Sequence, residues 1–150
     1  MAEELPLADE TMDVVHASSC VHHTDTALSA PQVLRVLTPG GRFSALEPWR
    51  GPLYQLGIRI FGNREPVGCK PMTGERAAPL AEAFDRFEIC HHGALTRYPL
   101  IALWKLGLEL TPMAVWRINR VDDSISSMIP GLRAKGSGVA LLGWKTGKRP

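Results

Sequence analysis

The sequence has no cysteine pair at CxxC spacing. Its three cysteines, Cys20, Cys69 and Cys90, are odd in number and far apart. That excludes a zinc ribbon and a dithiol redox motif, and it makes a reduced, cytoplasmic setting the expectation. There is no apolar h-region behind the acidic start Glu3-Glu4, so no signal peptide is read. There is no long uninterrupted apolar run. The most apolar stretch, residues 99–118, is broken by Lys105, Glu109, Pro112 and Arg117 and does not read as a membrane span. Charge of one sign is also missing: the net charge is +2, and the one basic cluster, Lys145, Lys148 and Arg149, reads as a solvated tail. Without a concentrated basic face, nucleic acid is not an expected partner. Repeats and low-complexity segments are absent too.

What is present is a core. Apolar residues make up 45% of 150 positions, enough for one domain. Residues 12–17 (MDVVHA) read as a short strand. Asp25 is a candidate N-cap, but Pro31 interrupts the apolar pattern that follows it. The expectation is a turn at 26–29 and a helix over 31–37. Thr38-Pro39-Gly40-Gly41 has the form of a type II turn, with glycine at the position that needs positive φ. Residues 42–47 (RFSALE) then read as a strand. Strand, helix and strand make a βαβ unit with a parallel pair.

Further on, residues 48–71 are rich in Pro and Gly and read as an insertion, with a short helix near 54–61. Residues 74–84 read as a helix, 87–95 as a strand, and 98–116 as partly helical. Residues 121–129 read as a short helix and 138–144 (GVALLGW) as a buried strand. The class is α/β.

Two stretches carry a family resemblance. Ala2-Glu3-Glu4-Leu5-Pro6-Leu7-Ala8-Asp9 followed by Met12-Asp13-Val14-Val15 is similar to the A-E-x-L-P-F-x-D-x-S-F-D-V-V segment of class I S-adenosyl-methionine (SAM) dependent methyltransferases. Val21-His22-His23, Asp25, then Arg35-Val36-Leu37-Thr38-Pro39-Gly40-Gly41-Arg42-Phe43 and Glu47-Pro48 resemble the L-H-H-x-x-D … R-V-L-K-P-G-G-R-F … E-P of the same family. The resemblance implies a partial Rossmann-like sheet, strands 4-5-7-6 of a seven-stranded order 3-2-1-4-5-7-6. It also implies one partial domain over 1–150, with insertions at about 48–73 and 97–120 forming a cap.

The resemblance further implies SAM as cofactor and a small, apolar methyl acceptor. It places Ala2, Glu3, Ser18 and His23 at the cofactor, with His22 or His23 as candidate base. The family's glycine-rich loop, E/D-x-G-x-G-x-G, has no counterpart in these residues. The chain alone is therefore expected to be truncated and inactive. Alternatively it is one half of a split enzyme, or a non-catalytic module for binding or dimerisation.

Several residues keep two readings. His22 and His23 either take part in chemistry or shape the pocket. Glu47 orients substrate or stands as a solvated strand end. Trp49 and Tyr54 bind an apolar acceptor or form the cap's own core. His91 and His92, if on a strand, face opposite sides, and no metal site is expected. Residues 98–118 are a candidate for peripheral membrane contact. Residues 12–17 are a candidate edge for a partner chain or self-association.

Overall fold

The computed structural model describes residues 2–52, 54, 59–60 and 70–147. Of the helix expected near 54–61, Tyr54, Arg59 and Ile60 are described and are helical, and the rest of it lies outside the described residues, as do most of the first insertion, Cys69, Lys148 and Arg149. Four strands form one sheet: β1 (Met12–Ser18), β2 (Leu37–Pro48), β3 (Arg86–His92) and β4 (Gly138–Trp144). Their order is β1-β2-β4-β3, which is the 4-5-7-6 order implied by the resemblance. The helices with both ends among the described residues are α1 (Thr26–Val36), α2 (Gly74–Ala83), α3 (Arg97–Lys105) and α4 (Pro112–Met128). Single 3₁₀ turns occur at Val21–His23 and Arg133–Lys135.

The βαβ reading holds: β1 and β2 are parallel, with Val15 opposite Phe43 and Ala17 opposite Ala45. Two local expectations do not hold. Asp25 caps α1 by accepting from the Ala27 N–H at 3.0 Å, so the helix starts at Thr26 and contains Pro31. A capped first turn fixes the helical geometry, and Pro31, one turn later, forfeits only its own bond to the carbonyl four residues back. Thr38–Gly41 is not a separate turn but a bulge inside β2. Met12 pairs with Leu37 whereas Val14 already pairs with Arg42. Gly40 supplies the expected positive φ, +86°.

β4 runs against β2. Gly40 N–H donates to the Lys145 carbonyl at 2.8 Å, and Lys145 N–H to the Gly41 carbonyl at 3.0 Å, so the end of β4 lies beside the start of β2. Lys145 is not part of a solvated tail. Its Nζ donates to the Leu37 and Leu34 carbonyls at 2.6 and 3.1 Å, satisfying groups left open at the end of α1. Residues 121–129 are not a separate helix but the second half of α4, because Thr111 caps at 3.3 Å and Pro112 opens one continuous run.

The chain resolves into two compact units. One comprises Met1–Pro48, Pro66–Cys90 and Val139–Pro150; the other comprises Trp49–Glu65 and His91–Gly138. The core of the first unit includes Val33 and Val36 of α1, Phe43 and Ala45 of β2, Leu80 of α2, and Val139 and Leu141 of β4. Phe43 stacks on Phe84 with centroids 5.5 Å apart. Gly143 makes room for that ring: a Cβ there would stand 2.8 Å from it. At the other side of the sheet, β1 has no second neighbour among the described residues, and Val14 is 56% exposed.

Candidate functional site

β2 alternates strictly over its second half. Gly41, Phe43, Ala45 and Glu47 are buried while Arg42 and Leu46 face out. Glu47 thus falls on the apolar phase of the strand, and it is 4% exposed. A carboxylate there needs partners to offset its desolvation. The loop after β1 supplies them. Ser19 adopts a left-handed φ of +52°, turning the chain so that successive N–H groups point back at β2. Glu47 Oε1 accepts from Cys20 N at 3.1 Å and Val21 N at 2.9 Å. Oε2 faces His22 N at 3.4 Å and His22 Nδ1 at 2.5 Å. Glu47 is therefore a buried anchor and not a solvated strand end.

The consequence falls on His22, itself 5% exposed. A carboxylate accepts, so Nδ1 carries a proton, and in the neutral ring Nε2 is the acceptor nitrogen. The His23 ring lies against His22, centroids 4.0 Å apart, and is exposed to solvent. Both border a cavity of about 500 Å³, together with Asp25, Lys70 and Arg76. Arg76 sits in the first turn of α2, where Thr73 caps. Its Nη2 donates to the His22 and Thr24 carbonyls at 3.1 and 3.0 Å, while its Nε is buried without a partner. Asp25 already spends one oxygen on the α1 cap. The walls are thus polar and carry more cation than anion.

The other expected residues are placed as follows. Ser18 ends β1 and is exposed. Ala2 is half-buried. Glu3 accepts from the Asp25 N–H at 3.0 Å, and that bond holds its carboxyl below the ordinary value. The segment around them is tied down by Arg35, which donates to the Leu5 and Leu7 carbonyls at 2.9 and 2.8 Å. Trp49 and Tyr54 belong to the second unit. Trp49 meets His91 edge-on at 4.7 Å, and Arg50 lies 5.9 Å over the Tyr54 ring. Among the described residues, no group of three His, Cys, Asp or Glu side chains is placed to hold a metal.

Sequence reasoning did not see Arg76 or Lys70 as site residues, nor Glu47 as the partner of His22. For Glu47 a signal was there: a carboxylate in phase with Phe43 and Ala45. For Arg76 there was none, since it reaches the loop across fifty residues of chain.

The first 45 residues match the family model of a methyltransferase domain. An uncharacterized methyltransferase of Mycobacterium tuberculosis is 39% identical over 70 residues, 44% of this chain and 29% of that protein. A SAM-dependent methyltransferase of Thermotoga maritima superposes with a TM-score of 0.58 at 17% identity, over 97% of this chain and 62% of that one. This is the class I methyltransferase fold. A phosphoethanolamine N-methyltransferase of Haemonchus contortus, solved with SAM, gives 0.57 at 15% identity, over 97% and 36%. The match to the M. tuberculosis relative thus spans under a third of that relative's length.

Measured against SAM, the described residues present one open wall. Ser18 is open at the carboxyl end of β1, where ligands of such sheets bind. Glu3 is already engaged, and no glycine-rich loop lies among these residues to let backbone close on the cofactor. The described residues by themselves do not form a fitting SAM cradle.

Proposed function

We propose that this chain forms the acceptor side of a SAM-dependent methyltransferase acting on a small molecule. SAM, when bound, supplies an electrophilic methyl group. His22 then serves as the base, taking the acceptor's proton on Nε2 while Glu47 holds Nδ1. The observation that carries this reading is His22 on the wall of the 500 Å³ cavity with its Nδ1 2.5 Å from the buried Glu47 carboxylate behind it. A base oriented by a buried carboxylate is a recurring arrangement for proton transfer.

Trp49 and Tyr54 suggested an apolar acceptor. Lys70 and the unpartnered Arg76 Nε at the cavity of His22 favour instead an acceptor with a polar or anionic group. The glycine-rich half of the cofactor site comes from residues outside these 150, on the same polypeptide or on a partner. The edge of β1, which has no second neighbour among the described residues, is where a further strand would add. The same edge, with Val14 exposed, favours a second reading in which the chain is a non-catalytic binding or dimerisation module.

Calorimetry with SAM separates the two. The 150-residue chain gives no saturable heat, and the chain completed by a glycine-loop polypeptide binds SAM and transfers labelled methyl groups. Saturable SAM binding by the chain alone would refute the division of the site. No SAM binding by the completed protein would leave the non-catalytic module.

A further inference from the structure

The connection between α3 and α4 is built in an unusual sense. Every residue from 104 to 113 is exposed, yet Trp104, Leu106, Leu108, Leu110 and Met113 are among them. Leu106 is 75% exposed, Trp104 66% and Leu108 56%. Trp116, one turn into α4, is exposed as well. Apolar residues that cluster on the surface in this way mark a contact site.

This tip is not loose chain. Gly107 takes φ +77° and closes α3: Gly107 N–H donates to the Trp104 carbonyl at 3.0 Å, and Leu108 N–H to the Leu103 carbonyl at 3.0 Å. That is a helix end of the Schellman kind. Thr111 and Pro112 then open α4 at once. Two helix caps within seven residues fix the leucines where they are, facing water. From below, the buried Asp122 of α4 accepts from Leu95 N, Thr96 N and Thr96 Oγ1 at 3.1, 2.9 and 2.7 Å, locking the start of α3 to α4. The polar side of α4 is turned inward, and part of its apolar side outward.

Charge decides what the tip meets. Lys105 adjoins Trp104, Arg117 adjoins Trp116, and Arg120 lies 5.3 Å over the Trp116 ring. Glu109 is the one acidic side chain between residues 104 and 120. Tryptophans flanked by cations, one helical turn behind a set of leucines, fit the headgroup level of a bilayer with the leucines below it. A second copy docked on the same face would bring Arg117 and Arg120 against their own kind, which is unfavourable. No helix among the described residues is long and apolar enough to cross a membrane, so the contact is superficial.

We propose that the α3–α4 tip, residues 104–116 with Arg117 and Arg120 behind it, inserts into the surface of a membrane carrying anionic lipid. Contact of this kind is independent of methyl transfer. The test is flotation of the full 150-residue chain with phosphatidylcholine vesicles, with and without phosphatidylglycerol. The chain is expected to float with the anionic vesicles and to be released by salt. Leu106→Asp with Leu108→Asp is expected to abolish flotation while leaving helical circular dichroism unchanged, since both side chains are exposed. Arg117→Gln and Arg120→Gln are each expected to weaken binding about fivefold. The proposal is overturned if the parent chain does not float, or if the leucine variant floats as well as the parent. It is also overturned if the parent sediments as a dimer that the leucine substitutions dissociate, because the occupant is then a second copy.

Discussion

Replacing Glu47 tests whether one buried carboxylate organises the candidate site. Glu47→Ala removes the acceptor for Cys20 N, Val21 N and the His22 ring, which have no other acceptor among the described residues. Breaking a buried pair by deleting one partner costs about 3–5 kcal/mol. Some of that is recovered if water reaches the exposed Cys20, so the expectation is about 3 kcal/mol. For a chain of this size that lowers the melting temperature by roughly 6–12 °C. Glu47→Gln keeps an oxygen for Cys20 and Val21 but turns an NH₂ toward His22. Two donors cannot face each other, so the ring must shift its proton from Nδ1 to Nε2. The assay is nitrogen-15 NMR of the His22 ring alongside thermal melts. The parent should show the Nδ1–H form and the Gln variant the Nε2–H form. A Glu47→Ala protein melting within a degree or two of the parent, or a Gln variant with its tautomer unchanged, would show that Glu47 does not hold His22.

Three further outcomes are expected. Asp122→Ala leaves the Leu95 and Thr96 donors open in a residue site only 1% exposed, and should cost about 3 kcal/mol, seen as a lower denaturant midpoint and loss of protection in α3. Pro31→Ala restores an intrahelical donor in α1 at an exposed position, and should raise the melting temperature by the equivalent of about 1–3 kcal/mol; a drop would mean the ring's packing matters more than the lost bond. His91 and His92 are both held below the ordinary histidine value, first by burial, with Arg133 adding to it. A lowered folded value means the unfolded chain takes up protons first, so this contribution is intact above about pH 6.5 and lost as pH falls below it. Melts should therefore weaken between pH 7.5 and 5.5, less steeply in His91→Gln; an equal slope would assign the loss to other groups.

The elements were legible where period and punctuation agreed. GVALLGW is continuous apolar sequence and forms β4 with the expected bounds, and the βαβ unit follows from MDVVHA, the Asp25 cap and RFSALE. The failures came where two local rules competed. Pro31 argued for a helix start, but the Asp25 cap one turn earlier prevailed because a cap acts on the first turn and proline removes a single bond. Pro39-Gly40 argued for a loop, and the glycine did turn, but pairing with β1 on one side and β4 on the other absorbed the turn as a bulge.

The sequence by itself determined the α/β class, the family signature in its first third, and the positive φ at Gly40, because each depends on residues adjacent in the chain. The sheet order was available only through the resemblance. Tertiary structure alone decided that Glu47 is an anchor, that Arg76 reaches the loop of His22, that Asp122 locks α3, and that the leucines after Trp104 face water. Each of these depends on which groups meet across tens of residues and on how much water is left between them, and neither is written in local sequence.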